Sequence, residues 1–149
     1  MKFLADHMLG RLARWLRLLG YDVIYARPGI SDAELATLAE NTGRILLTRD
    51  KGLASRARNG LLIKTDEVLH QIEELRDKLG LSLVLELDRC SLCNNPIEKV
   101  EAGFVRGKVP EKVFASFSEF WYCRHCRKIY WYGSHVKKMQ ERLENANNP

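Results

Sequence analysis

Four cysteines constrain this chain more than any other feature. They stand at Cys90, Cys93, Cys123 and Cys126, as two C-x2-C pairs with 29 residues between them and none left over. Two thiolates three positions apart can grip one metal from a tight knuckle. Two such knuckles complete a tetrahedral four-sulfur site, which suits Zn²⁺ because that ion accepts thiolates without redox chemistry. With all four positions filled by protein, the zinc would be structural and would not activate water. A disulfide pair and an iron–sulfur cluster are the alternatives, and nothing in the sequence points to an oxidising compartment. The knuckles therefore predict a small metal-folded module toward the end of the chain.

The rest of the 149 residues must hold a conventional core. Hydrophobic residues make up 46% and charged residues 29%, which excludes a disordered or collagen-like chain. No apolar run approaches the roughly 18 residues of a membrane span. No long apolar stretch precedes Asp6, so a secretory signal is not expected and the cytoplasm is the default location. The net charge of +5 permits nucleic acid as a partner without demanding it.

Through residue 80, strand-like runs alternate with helical periodicities. Residues 2–5, 22–25, 44–48 and 61–63 read as strands. Residues 8–19, 33–41, 51–58 and 65–79 read as helices, two of them followed by Gly20 and Gly80. This alternation predicts an α/β fold with a parallel sheet between helical layers. Residues 81–87 are a fifth strand or a tether. Beyond Cys90 the pattern changes to short β segments rich in aromatic residues, closed by a helix over 134–145. The expected division is residues 1–88 and 89–149.

Ligands of parallel α/β sheets bind beyond the carboxyl ends of the strands. Asp6 follows the first strand and Asp50 the third, so both can face one cleft. A third acid comes from Ser31-Asp32-Ala33-Glu34. Asp32 shares a helix face with Leu35, Ala36 and Ala39, whereas Glu34 lies about 200° around the helix. Ser31 and Glu34 also match a capping box. Asp32 is thus the favoured third acid and Glu34 the fallback. Asp66 follows the fourth strand and is a peripheral candidate that also suits a helix start. Clustered carboxylates repel unless a cation joins them, and hard oxygen donors favour Mg²⁺ or Mn²⁺. Such an ion supports phosphodiester hydrolysis. No Walker or dinucleotide glycine loop is present.

The order of these pieces is similar to a known family. Phe3-Leu4-Ala5-Asp6 leads into Leu9-Gly10-Arg11-Leu12-Ala13-Arg14-Trp15-Leu16-Arg17-Leu18-Leu19-Gly20-Tyr21-Asp22. Asp32-Ala33-Glu34-Leu35, Arg44-Ile45-Leu46-Leu47-Thr48-Arg49-Asp50 and the paired knuckles follow, the second running into Ile129-Tyr130-Trp131-Tyr132-Gly133-Ser134-His135. Together they resemble the Mut7-C family, over nearly the whole chain. The resemblance implies a PIN-like three-layer α/β/α domain followed by a small β-rich zinc ribbon. It further implies metal-dependent RNA cleavage, with Asp6, Asp32 and Asp50 matching the acidic cluster and Asp66 a more variable fourth acid.

Arg11, Arg14 and Arg17 lie within about 120° of one another on the first helix. That stripe, with Lys51 after Asp50 and with Arg127 and Lys128 in the ribbon, is a candidate for RNA phosphate contact. Tyr130, Trp131 and Tyr132 either stack bases or fill the ribbon core. The leading expectation is a Mg²⁺- or Mn²⁺-dependent ribonuclease, an endonuclease acting on RNA such as ribosomal RNA or tRNA. The alternatives are a non-catalytic RNA- or ribosome-binding protein and a protein-interaction adaptor.

Overall fold

The computed structural model describes residues 1–148. Four parallel strands form the main sheet: β1 (Lys2–Ala5), β2 (Asp22–Tyr25), β3 (Ile45–Thr48) and β4 (Gly60–Leu62). Their order is β2-β1-β3-β4, with Phe3 opposite Val23 and Ile45, and Leu46 opposite Gly60. β1 and β3 are neighbours although β2 lies between them in the chain. The direction of strand addition reverses there, and in such sheets the crevice at that reversal is where ligands bind.

Alternation along the strands sends side chains to two separate cores. Phe3, Ala5, Val23 and Leu47 face α1 (Gly10–Leu18) and α4 (Val68–Leu79), with Leu12, Leu16, Ile72 and Leu75 filling that layer. Leu4 and Leu46 face α2 (Asp32–Asn41) and α3 (Lys51–Arg56), against Leu35, Ala39 and Leu53. Each fully buried leucine contributes about 1.5–3 kcal/mol, so both helical layers are held chiefly by this burial. The three-layer α/β/α reading is borne out. A short 3-10 turn, His7–Leu9, precedes α1, so the helix starts later than the periodicity suggested. Gly60 has a specific packing job: a Cβ there would lie 2.2 Å from the Ala54 carbonyl oxygen.

Residues 81–87 form no helix or strand, with Leu81, Leu83, Leu85 and Leu87 buried and the residues between them exposed. They join no ladder, so this segment is a tether laid against the first core.

The second sheet is antiparallel: β5 (Glu98–Val100), β6 (Phe120–Tyr122) and β7 (Ile129–Tyr130) in that order. Two short helices, α5 (Ala102–Val105) and α6 (Glu111–Ser116), interrupt the expected run of β segments. The last helix, α7 (Ser134–Asn147), returns to the first module, where Met139 and Leu143 join the core beside α4. Among the described residues no helix is long and apolar enough to cross a membrane.

Candidate active site and metal centre

The two knuckles are built alike. Asn94 N–H donates to the Cys90 carbonyl at 3.0 Å, and Arg127 N–H to the Cys123 carbonyl at 2.7 Å. Cys90 N–H donates to Asn95 O and Cys123 N–H to Lys128 O, at 2.8 and 2.9 Å. The residue after each second cysteine takes the left-handed conformation, with φ of 70° at Asn94 and 59° at Arg127. This folding turns all four sulfurs inward, their ligand atoms within 4.8 Å of one another. A tetrahedral zinc with Zn–S of about 2.3 Å needs sulfurs about 3.8 Å apart, close to the 3.5 Å between Cys93 and Cys123.

The thiols also show why a cation belongs there. Burial raises Cys93, but hydrogen bonds from Asn95 outweigh it and bring the thiol down to about 6. The Cys93 sulfur beside it, then burial, push Cys126 up to about 12. Burial raises Cys123 as well. Adjacent sulfurs cannot all ionise alone, and a dication removes the conflict. The four cysteines could hold a zinc ion. Tyr130 supports them, its hydroxyl 3.1 Å from Cys90 Sγ and accepting from Ser91 N–H at 3.0 Å. Its ring is therefore buried beside the cysteines and is not a stacking platform.

The ribbon is bolted to the main sheet by buried polar contacts. Arg17 is 7% exposed and donates to the carbonyls of Val23, Ser91 and Leu92 at 3.0, 3.0 and 3.1 Å. This corrects the expected stripe: Arg11 and Arg14 are exposed, but Arg17 is committed to the knuckle and leaves the RNA-contact set. The ribbon covers its end of α1, which helical spacing alone does not reveal. Asp22 binds Arg44 at 2.8 Å and Asn94 at 2.7 Å through one carboxylate oxygen.

At the sheet reversal, Asp6 is buried at the end of β1. Its Oδ1 accepts from His7 N–H at 2.7 Å and lies 2.8 Å from the His7 ring. Its Oδ2 accepts from the Thr48 hydroxyl at 2.8 Å. The same hydroxyl accepts from Asp50 N–H at 3.0 Å, so one buried side chain ties the two strand ends together. Asp50 is exposed and caps α3 by accepting from Leu53 N–H at 3.0 Å. From α3, Arg56 reaches Asp32 at 2.9 Å. Asp32 is exposed, contrary to the expected inward face, because it lies in the first turn, ahead of Leu35 and Ala39. The capping box of Ser31 and Glu34 is present, and its backbone hydrogen bond holds the Glu34 carboxyl low.

Asp66 is exposed in the turn before α4, where Glu67 and not Asp66 caps the helix. Lys51 is exposed at the start of α3, and Arg127 and Lys128 are exposed on the second knuckle. Among the described residues the four cysteines are the group of three or more His, Cys, Asp or Glu side chains that converge within 4.8 Å. The three aspartates do not converge to that degree. As hard oxygen donors, Asp6 and Asp50 nevertheless fit a divalent cation, and Asp32 is held by an arginine 64% exposed, an ion pair worth about 1 kcal/mol or less.

Thr48, buried between Asp6 and Asp50, is the candidate-site residue that the sequence reading passed over. Its signal was a hydroxyl in an otherwise apolar central strand, two positions before Asp50.

Fold and site together define a small α/β protein with Asp6 and Asp50 at the strand ends beside its sheet reversal and a four-thiol knuckle pair on a second sheet. The model of the Mut7-C RNAse domain matches residues 1–143, so the chain belongs to the Mut7-C RNAse domain family. No match was found among curated proteins or solved structures.

Proposed function

We propose that the chain is a Mg²⁺- or Mn²⁺-dependent ribonuclease whose active site is the crevice between the ends of β1 and β3. One observation carries this reading: the Thr48 hydroxyl joins Asp6 to Asp50 where the sheet changes direction. Membership in an RNase domain family supports RNA as the substrate.

Asp6 and Asp50 would hold the divalent ion, with Asp32 joining them by releasing Arg56. The bound ion supplies Lewis-acid stabilisation of charge at the scissile phosphate. Thr48 ties the two aspartates together by donating to the Asp6 carboxylate and accepting from the Asp50 backbone N–H. The His7 backbone N–H and the Thr48 hydroxyl hold the Asp6 carboxylate in place by donating to it. Arg11, Arg14 and Lys51 lie on elements that begin beyond the strand ends and would orient the phosphate backbone. Residues 1–88 would carry the chemistry and 89–149 would guide RNA.

Cleavage of a labelled RNA tests this. The protein is expected to cut with Mn²⁺ or Mg²⁺ and not without added divalent ion. Asp6→Asn and Asp50→Asn are each expected to abolish cutting while the circular dichroism spectrum is kept. RNA binding with no cutting by the parent protein under any divalent ion would leave a binding protein instead.

A further inference from the structure

A cleft of about 740 Å³ lies between α1, the β7 knuckle and α7. Arg11, Arg14 and Trp15 of α1 line it together with Lys128, Trp131 and Arg142. All four cations are exposed, and none forms an ion pair among the described residues. The acid on this lining, Glu67, already caps α4 through two backbone N–H groups.

From this cleft we infer that the protein binds single-stranded RNA between its two modules, with phosphates on Arg11, Arg14, Lys128 and Arg142 and bases against Trp15 and Trp131. The inference extends the ribonuclease reading by naming its substrate class, and rests on it for the choice of RNA. Four cations outnumbering the one acid on the lining attract a polyanion, and release of its counterions drives binding. Half-buried indoles inside a cleft offer their faces only to bases freed from a helical stack. A duplex keeps its bases stacked and cannot enter. One end of the cleft is marked by Arg11 and Glu67, at the starts of α1 and α4, beyond the carboxyl ends of β1 and β4. The other end is the ribbon. A strand lying in it would therefore reach the crevice beside Asp6 without leaving the protein surface.

Anisotropy with fluorescein-labelled oligouridylate tests the inference, using the full zinc-loaded chain without added Mg²⁺ or Mn²⁺. A fully paired RNA duplex of equal length is the competitor. The single strand is expected to bind more tightly and to quench tryptophan fluorescence, since two of the three tryptophans line the cleft. Arg14→Glu and Lys128→Glu are each expected to weaken it roughly tenfold and to flatten its salt dependence by about 0.7 per lost phosphate contact. Arg58→Glu, the same charge change on a residue paired with Glu40 away from the cleft, is expected to leave affinity within about twofold. Equal or better duplex binding overturns the inference. So do Arg14→Glu and Lys128→Glu effects no larger than that of Arg58→Glu. A protein that binds as described but never cuts overturns the ribonuclease reading alone. One that cuts while both cleft variants bind normally overturns the cleft alone.

Discussion

Replacing Asp22 with asparagine probes the join between sheet and ribbon. The Asp22 carboxylate receives Arg44 at 2.8 Å, and Asn94 reaches the same oxygen at 2.7 Å. Asn94 also accepts from Val23 N–H at 2.9 Å, so the knuckle is stitched to the start of β2. The Arg44 guanidinium, ahead of every other influence, pulls the Asp22 carboxyl from 3.8 to about 2. That depression corresponds to about 2 kcal/mol of folding stability. A lowered carboxyl pKa stabilises the fold at every pH above the unfolded value and loses that contribution as pH falls toward the folded value. Urea unfolding of Asp22→Asn beside the parent protein is the assay. The gap should be about 2 kcal/mol or more at pH 7, because Arg44 is left buried without its charge partner. It should stay constant from pH 7 to about 5 and close between about 4 and 2. A gap below about 0.5 kcal/mol at neutral pH, or one that persists unchanged at pH 2, would refute the reasoning.

Arg17→Met should cost about 3 kcal/mol or more, because it strips three carbonyls, two of them in buried contacts, of a charged donor; urea unfolding measures the loss, and faster amide exchange at Cys93 and Asn94 locates it at the knuckle. Thr48→Val should cost about 1–3 kcal/mol and reduce cutting more than RNA affinity, since it removes the contact that ties Asp6 to Asp50. Removing zinc with a strong chelator should unfold residues 89–133 first, seen as loss of amide protection there before loss in β1 and β3, because site and knuckles form together.

How far the sequence could be read follows from how local each signal is. Strand and helix alternation through residue 80 is written in nearby residues, and so were the four strands and the two helical layers. The C-x2-C spacing needs only a tight turn, which each knuckle makes. The capping box at Ser31 is equally local. Arg17 was misread because its neighbours, Ser91 and Leu92, lie more than seventy positions away in the chain. The exposure of Asp32 was hidden for a different reason: helix periodicity assigns a face but does not say where the sheet beneath it ends. Met139 and Leu143 looked like part of a ribbon helix, yet they complete the core beside α4, a contact no short-range pattern encodes. Helices as brief as Ala102–Val105 leave almost no periodicity to detect.

Locating Mn²⁺ crystallographically by its anomalous signal tests the central claim most directly. The account predicts one ion held jointly by the carboxylates of Asp6 and Asp50, with Arg56 turned away from Asp32. An ion bound elsewhere, or those two carboxylates left in separate hydrogen bonds at saturating Mn²⁺, would contradict it.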